Sequence, residues 1–250
     1  MDVQIYSFVI PTLISLWKLT PADAGLLATC TLLFSAFGGW LTGILADRYG
    51  RVLMLQVTIA WFAGFTFLQG LSAGFAWLLV ARSLQGLGFG GEWAAGSVLA
   101  AETIRSEHRG KAVGAVQSSW SIGWGMAALL ATLFFQFMPR EFAWRALFFV
   151  GILPALLISF VRRSVPEPAI YTEQGRVERR GDPLAIFRRT VIRRTALGAL
   201  LAVGAQGGYY AITTWLPTFL QKERGLPILS SGGYLAVIIV GSFIGYLVSA

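Results

Sequence analysis

The chain is poor in the residues that most soluble chemistry needs. Its 250 residues include one cysteine, Cys30, and one histidine, His108. A lone cysteine permits no intrachain disulfide, and Cys30 falls inside an apolar run where packing is its expected role. His108 sits in a polar turn beside Arg109, with no second histidine or cysteine to complete a metal site. The serines of the apolar runs have no histidine nearby, so no nucleophile and base can be paired. Neither an enzyme nor a cofactor is expected. Charge is also scarce: Asp, Glu, Lys and Arg make up 13% of the chain against 56% hydrophobic residues, and the mean hydropathy is +0.66. A soluble domain of that apolarity would have too few charged residues to cover its surface.

Long uncharged runs are abundant. Ala24 to Ala46 carries no charge, then Asp47-Arg48-Tyr49-Gly50-Arg51 makes a short charged turn, and Val52 to Ala81 is uncharged again. A membrane-spanning helix needs about 20 mainly apolar residues, and this pattern supplies two in succession. Extended along the chain, it predicts eight helices near 3–17, 24–46, 52–71, 75–101, 112–137, 144–161, 195–220 and 228–250, the first one short. The 29 glycines agree, since glycine is more frequent in membrane helices than in soluble ones.

The net charge of +8 could suggest nucleic acid, but the positions of the basic residues point elsewhere. If the first helix runs outward, the turns at 47–51, 102–111 and 162–194 share one side and carry fourteen of the 20 Lys and Arg residues. The opposite turns carry five, and Arg82 lies inside a span. Such an excess marks the cytoplasmic face, which predicts a cytoplasmic amino terminus and no nucleic-acid partner. No secretory signal is visible, because only Asp2 is charged before the first span and no small-residue cleavage site follows it.

The polar stretch 162–194 divides six spans from two and has a net charge of +5, so it reads as a cytoplasmic connector. Asp182 before Pro183 suits a helix start, and Leu184 to Arg194 could form a basic amphipathic helix on the anionic inner leaflet or a plain solvated linker. The expected division is therefore 1–161, a six-helix bundle; 162–194, the connector; and 195–250, the first two helices of a second bundle. An internal repeat supports it. A shift of 206 residues matches Pro11-Thr12 to Pro217-Thr218, Pro21 to Pro227, Phe37 to Phe243, Gly39 to Gly245 and Leu41 to Leu247. These matches begin where a duplicated bundle requires them.

Four motifs then identify a family. Asp47-Arg48-Tyr49-Gly50-Arg51 resembles the turn between helices two and three of the major facilitator superfamily of secondary transporters. Arg82-Ser83-Leu84-Gln85-Gly86-Leu87-Gly88 resembles its fourth-helix arginine motif, Arg109-Gly110-Lys111 with Gly114 the start of its fifth helix, and Pro166-Glu167-Pro168 the acidic proline motif after its sixth. Gly90-Gly91-Glu92-Trp93 is similar to proton symporters of sialate, short monocarboxylates and related metabolites. Asp2, Ile5-Tyr6 and Pro11-Thr12-Leu13 are similar to the first helix of those groups and of aromatic-acid symporters. The fifth helix, Ser118 to Gly125, lacks the Gly-Pro pair typical of drug antiporters.

The resemblance implies an all-α membrane protein, a helical bundle of which about eight of an expected twelve spans are present. Met1 then reads as internal to a longer reading frame, and Ala250 as lying within the eighth helix. It also implies a monomer of the inner membrane that moves a small organic anion together with protons by alternating access. A sugar or zwitterion symporter is the variant reading, and a non-transporting sensor or fragment the second class.

Three ionisable groups lie in apolar spans: Asp2, Arg82 and Glu92. Charges there cost roughly 2.5–3.5 kcal/mol each on insertion scales and usually face a cavity or a partner. Gln85 and Glu92, seven apart, share a helix face. Arg82 and Glu92, ten apart, are separated by about 15 Å and cannot pair within the helix. Asp2 and Glu92 are the protonatable candidates, and Arg82 a fixed counter-charge for a carboxylate or a substrate anion. The alternatives are a terminal Asp2 at the membrane interface and a Glu92 hydrogen-bonded to a tryptophan. Tyr6, Gln117, Trp120, Gln206, Tyr209 and Tyr210 are candidates to line a cavity, while Trp17 and Trp144 are expected as interface anchors. By resemblance, Asp47, Arg48, Arg51, Glu102 and Arg109 form a cytoplasmic gate; otherwise they only set topology. Gly86 and Gly90, four apart, read as a helix-packing surface rather than a phosphate loop.

Overall fold

The computed structural model describes residues 2–165, 167, 184–225 and 228–248, with the side chains of residues 2, 3, 106, 109, 185 and 228–232 outside that description. The described residues form helices α1 (Asp2–Trp17), α2 (Pro21–Tyr49), α3 (Arg51–Gly70), α4 (Phe75–Thr103), α5 (Arg109–Phe137), α6 (Arg140–Val150), α7 (Leu156–Ser164), α8 (Ile192–Lys222) and α9 (Ile228–Val248). α6 and α7 are two parts of one predicted span, interrupted by a 3-10 turn at Leu153–Ala155. Pro154 has no N–H for the helical ladder, and Gly151 lies against Thr66 of α3. Pro21–Tyr49, Arg51–Gly70, Gly110–Phe137 and Arg140–Ser164 are long and apolar enough to cross a membrane.

Local signals explain the joints. Thr20 caps α2 in a reciprocal box: its hydroxyl accepts from the Asp23 N–H at 3.2 Å, and Asp23 Oδ2 accepts from the Thr20 N–H at 2.9 Å, with Pro21 in the first turn. α2 stops and α3 starts at Gly50, whose φ of 117° is open to glycine and strained for other residues.

α4 is the axis of the assembly, packed most extensively against α2 and then α3. The α2 contact is made by small residues. A Cβ on Gly86 would collide with the Thr31 carbonyl, one on Gly90 with that of Ser35, and one on Gly38 with the Leu87 backbone. Backbones therefore meet along the whole crossing, as expected where lipid-like surroundings leave close packing as the main attraction.

α1 is enclosed instead. Ile5, Val9, Ile10 and Leu13 are buried with Leu78, Trp124, Leu147 and Phe148. α1 also packs against α8, while α9 packs on the alanine-lined side of α5, where Gly125 approaches Ile239. Pro11 and Pro217, paired by the repeat, both lie inside helices, and Thr12 and Thr218 beside them are both buried.

The outer surface is apolar. Leu33, Phe37 and Leu41 on α2, and Ile122, Met126, Leu129 and Leu133 on α5, form exposed stripes at helical spacing. A water-soluble monomer does not carry apolar patches of this extent, whereas a bilayer solvates them.

Two expectations change. Trp144 is not an interface anchor: it is 1% exposed, packed edge-on against Trp17 at 5.5 Å and Phe148 at 6.1 Å, with the Arg145 guanidinium over its ring. Its ring is enclosed by edge-on aromatic neighbours, an arrangement that adds to the burial of its large area. Leu184 to Arg194 does not form an amphipathic helix either. It contains a 3-10 turn at Ala185–Phe187, and regular helix begins at Ile192, with the Thr195 hydroxyl back-bonded to Ile186 O at 3.1 Å. Asp182 and Pro183 lie outside the described residues.

Candidate functional site

Among the described residues, Arg82 is the most deeply enclosed charge, at 1% exposure. Its guanidinium lies over the Tyr6 ring at 3.8 Å, Nη1 donates to Gln69 Oε1 at 3.2 Å, and Nε donates to the Leu27 carbonyl at 3.5 Å. Tyr6 is fixed in turn, its hydroxyl donating to Ala24 O at 2.8 Å. Helices α1, α2 and α3 thus each contribute one contact to Arg82 of α4. One turn along α4, Gln85 Nε2 donates to Thr66 Oγ1 at 2.8 Å, leaving Gln85 Oε1 and Gln69 Nε2 buried without partners. Among the described residues no carboxylate pairs with Arg82, so its charge is held by a π face, an amide and a carbonyl. Asp2 begins α1 one turn before Tyr6, and its side chain lies outside the described residues.

Glu92 lies two turns further along α4, in different surroundings. It lines a cavity of about 470 Å³ between α3, α4 and α5, within the roughly 300–1,000 Å³ of small-molecule sites. Leu55 and Phe62 of α3, Phe89, Trp93 and Ser97 of α4, and Gln117, Ser119 and Trp120 of α5 make its walls. The Phe89 and Trp120 rings lie 6.2 Å apart, and Trp120 Nε1 donates to the Tyr209 hydroxyl of α8 at 2.8 Å. Tyr209 meets Tyr210 edge-on at 5.7 Å. Of the residues expected in the cavity, Gln117 and Trp120 line it, and Tyr209 touches it through Trp120. Tyr6 lies under Arg82 instead, Tyr210 stands behind Tyr209, and Gln206 is exposed on α8 away from the wall. Phe62, Trp93 and Ser119 were not anticipated.

The third cluster is at the α2–α3 turn. Arg51 makes a two-pronged ion pair with Glu102 of α4, Nε to Oε2 at 3.0 Å and Nη2 to Oε1 at 3.1 Å. Nη2 also meets Asp47 Oδ1 at 2.9 Å, and Nη1 donates to Ala46 O at 3.1 Å in the last turn of α2. Glu167, which follows α7, accepts from the Arg51 N–H at 3.2 Å and the Val52 N–H at 2.9 Å. Gly50 offers no capping side chain, so Glu167 supplies the missing acceptor and places negative charge at the positive end of α3. Arg48 lies over Tyr49 at 5.5 Å. Arg109 starts α5, and its side chain lies outside the described residues.

With a helical bundle, a ligand-sized cavity and a charged turn in place, comparison with known proteins decides the family. The model of the Major Facilitator Superfamily matches residues 1–250. The chain belongs to the Major Facilitator Superfamily. This is a family of multi-pass membrane transporters rather than enzymes. The chain is 44% identical over 254 residues to the probable 4-methylmuconolactone transporter of Cupriavidus pinatubonensis, covering 100% of this chain and 58% of that protein. It is 28% identical over 264 residues to the cis,cis-muconate transport protein of Acinetobacter baylyi, covering 99% of this chain and 61% of that one. The crystal structure of a D-xylose-proton symporter superposes with a TM-score of 0.73 at 19% identity over 96% of this chain and 62% of the other, a likeness of fold alone. The chain thus spans about three fifths of the length of these relatives.

Proposed function

We propose that the protein is a proton-coupled symporter that carries a small organic anion, a carboxylate, across the inner membrane by alternating access. The observation that carries this reading is the cavity between α3, α4 and α5. It has the volume of a metabolite site, walls that are mainly aromatic and aliphatic, and one acid, Glu92, within it. The compounds named for two relatives, 4-methylmuconolactone and cis,cis-muconate, are small organic acids, which supports the choice of substrate class.

In this reading Glu92 and Asp2 exchange the coupled proton, and Gln85 and Arg82 form a fixed polar group that responds to it. Arg82 stays protonated throughout, because a guanidinium does not release its proton under physiological conditions. Asp47, Arg48, Arg51, Glu102 and Arg109, joined by Glu167, act as the inner gate, exchanging partners as residues 1–161 rock against a second bundle that begins at 195. The amino terminus is cytoplasmic and the working unit is a monomer.

The test is uptake by the protein reconstituted in liposomes with an alkaline interior, using lactate, benzoate, sialate and glucose. The carboxylates accumulate while the gradient lasts, and Glu92→Gln removes the response to pH while exchange of preloaded substrate continues. Accumulation of glucose alone, or the same gradient-driven uptake in Glu92→Gln, would reject the proposal.

A further inference from the structure

A group of arginines where the chain enters α8 takes no part in the cavity or in the charged turn. Between Leu184 and Arg194 the chain has Arg188, Arg189, Arg193 and Arg194 and no acid, and from Thr195 to Gln221 it has no charge at all. All four arginines are exposed. So are Leu184, Ile186 and Phe187, at 59%, 41% and 57%. The segment is a folded corner rather than a loose strand. The Phe187 N–H donates to Leu184 O at 2.9 Å and the Ile192 N–H to Arg188 O at 2.8 Å. The Thr195 hydroxyl, in the first turn of α8, meets Ile186 O at 3.1 Å and Val191 O at 3.2 Å, which pins the corner to the helix. Cationic and apolar side chains are thus presented together on one short element. Cations crowded at the positive end of a helix repel both one another and its dipole, so the cluster is favourable only with anions close by.

We infer that this corner is a docking surface for anionic phospholipids, with Arg188, Arg189, Arg193 and Arg194 on the headgroup phosphates and Leu184, Ile186 and Phe187 in the acyl region beneath. Charge complementarity selects the partner. Clustered arginines beside a membrane helix attract an anionic leaflet, and a planar guanidinium can hold two phosphate oxygens at once. The apolar side chains decide between sources of phosphate. Free phosphate would neutralise the arginines but leave Leu184, Ile186 and Phe187 in water, whereas a lipid covers both kinds of group. No regular amphipathic helix is needed, because the turn and the Thr195 pin already hold the two kinds of side chain on one element. The choice of lipid class is independent of the transport reading; the choice of the inner leaflet rests on the cytoplasmic amino terminus proposed above. Bound lipid fixes the depth at which α8, the first helix of the second bundle, enters the membrane.

Lipid titration of the purified protein in a neutral detergent tests this without requiring transport. Short-chain phosphatidylglycerol, phosphatidylcholine of the same chain length, inorganic phosphate and polyglutamate are added in turn, and affinity is read from the rise in the thermal unfolding midpoint. Phosphatidylglycerol binds at least about tenfold more tightly than phosphatidylcholine. Arg188→Gln with Arg189→Gln, and separately Arg193→Gln with Arg194→Gln, each lower that affinity about twentyfold. Circular dichroism without lipid reports that both variants are folded. Phe187→Ser weakens phosphatidylglycerol and leaves the weak effect of inorganic phosphate unchanged. Equal binding of the two lipids, or a phosphatidylglycerol preference that survives both arginine pairs, would overturn the inference. So would inorganic phosphate binding as tightly as the lipid, which marks a simple anion site, or polyglutamate binding more tightly, which marks a surface for an acidic protein segment. Glu92→Gln, the variant that tests transport, keeps the lipid preference, so either reading can fail while the other stands.

Discussion

Replacing Glu102 with Gln should destabilise the α2–α3 turn far more than replacing Asp47 with Asn, although both acids contact the same arginine. Glu102 makes two parallel bonds to Arg51, and their side chains are 20% and 13% exposed. Asp47 makes one contact and is 55% exposed. Hydrogen bonds to charged groups in partly buried positions are worth about 1.5–3 kcal/mol, whereas an exposed pair one helical turn apart is worth about 0.2–1 kcal/mol. Glu102→Gln retains one acceptor but loses the charge and the fork, so a loss of about 2 kcal/mol is expected, against at most about 1 kcal/mol for Asp47→Asn. Unfolding of each variant in a detergent–denaturant titration gives both values. Arg51→Lys serves as a third arm, because an ammonium cannot reproduce the fork and should resemble Glu102→Gln. A larger loss for Asp47→Asn, or no loss for Glu102→Gln, would refute the assignment of Arg51 as the clamp between α2 and α4.

Gly90→Val should prevent the α2–α4 crossing and sharply lower the yield of folded protein, because its Cβ would collide with the Ser35 carbonyl. Gly43→Ala, with open space around it, should be neutral in the same expression and melting assay. Glu167→Gln should cost about 1 kcal/mol through the weakened cap of α3, read in the same unfolding titration. Trp120→Phe keeps the ring beside Phe89 but loses the bond to Tyr209, so ligand binding should weaken by about 0.5–1.5 kcal/mol in a fluorescence titration.

The sequence made the helices legible because most are long, nearly uncharged runs closed by a charged or glycine-containing turn, a signal that needs no tertiary information. Packing at Gly86 and Gly90 was readable for the same reason, since a four-residue spacing fixes a common face. The Arg51–Glu102 pair could be placed only as two charges at the same end of the bundle; its geometry depends on how α3 turns against α4. Glu167 was visible as part of a motif, but its capping of α3 joins residues 116 apart in the chain. Tyr6 illustrates the limit: an aromatic phenol near a predicted cavity satisfies the pattern, yet the rotation of α1 places it beneath Arg82. Trp144 fails for a related reason, since its distance from a helix end does not reveal that Trp17 and Phe148 enclose it. The broken sixth span was marked by Pro154, which a reading based on charge alone passes over.

The central claim is that a lipid-embedded bundle keeps Glu92 in a cavity that water and ligand can reach. Cysteine labelling tests it most directly. In a Cys30→Ala background, Ser97→Cys, on the cavity wall, should react with a charged thiol reagent and be protected by benzoate. Leu33→Cys, on the exposed apolar stripe of α2, should react only with an uncharged reagent that partitions into lipid. Equal reaction of both positions with the charged reagent, or a Ser97→Cys variant that it never labels, would contradict the account.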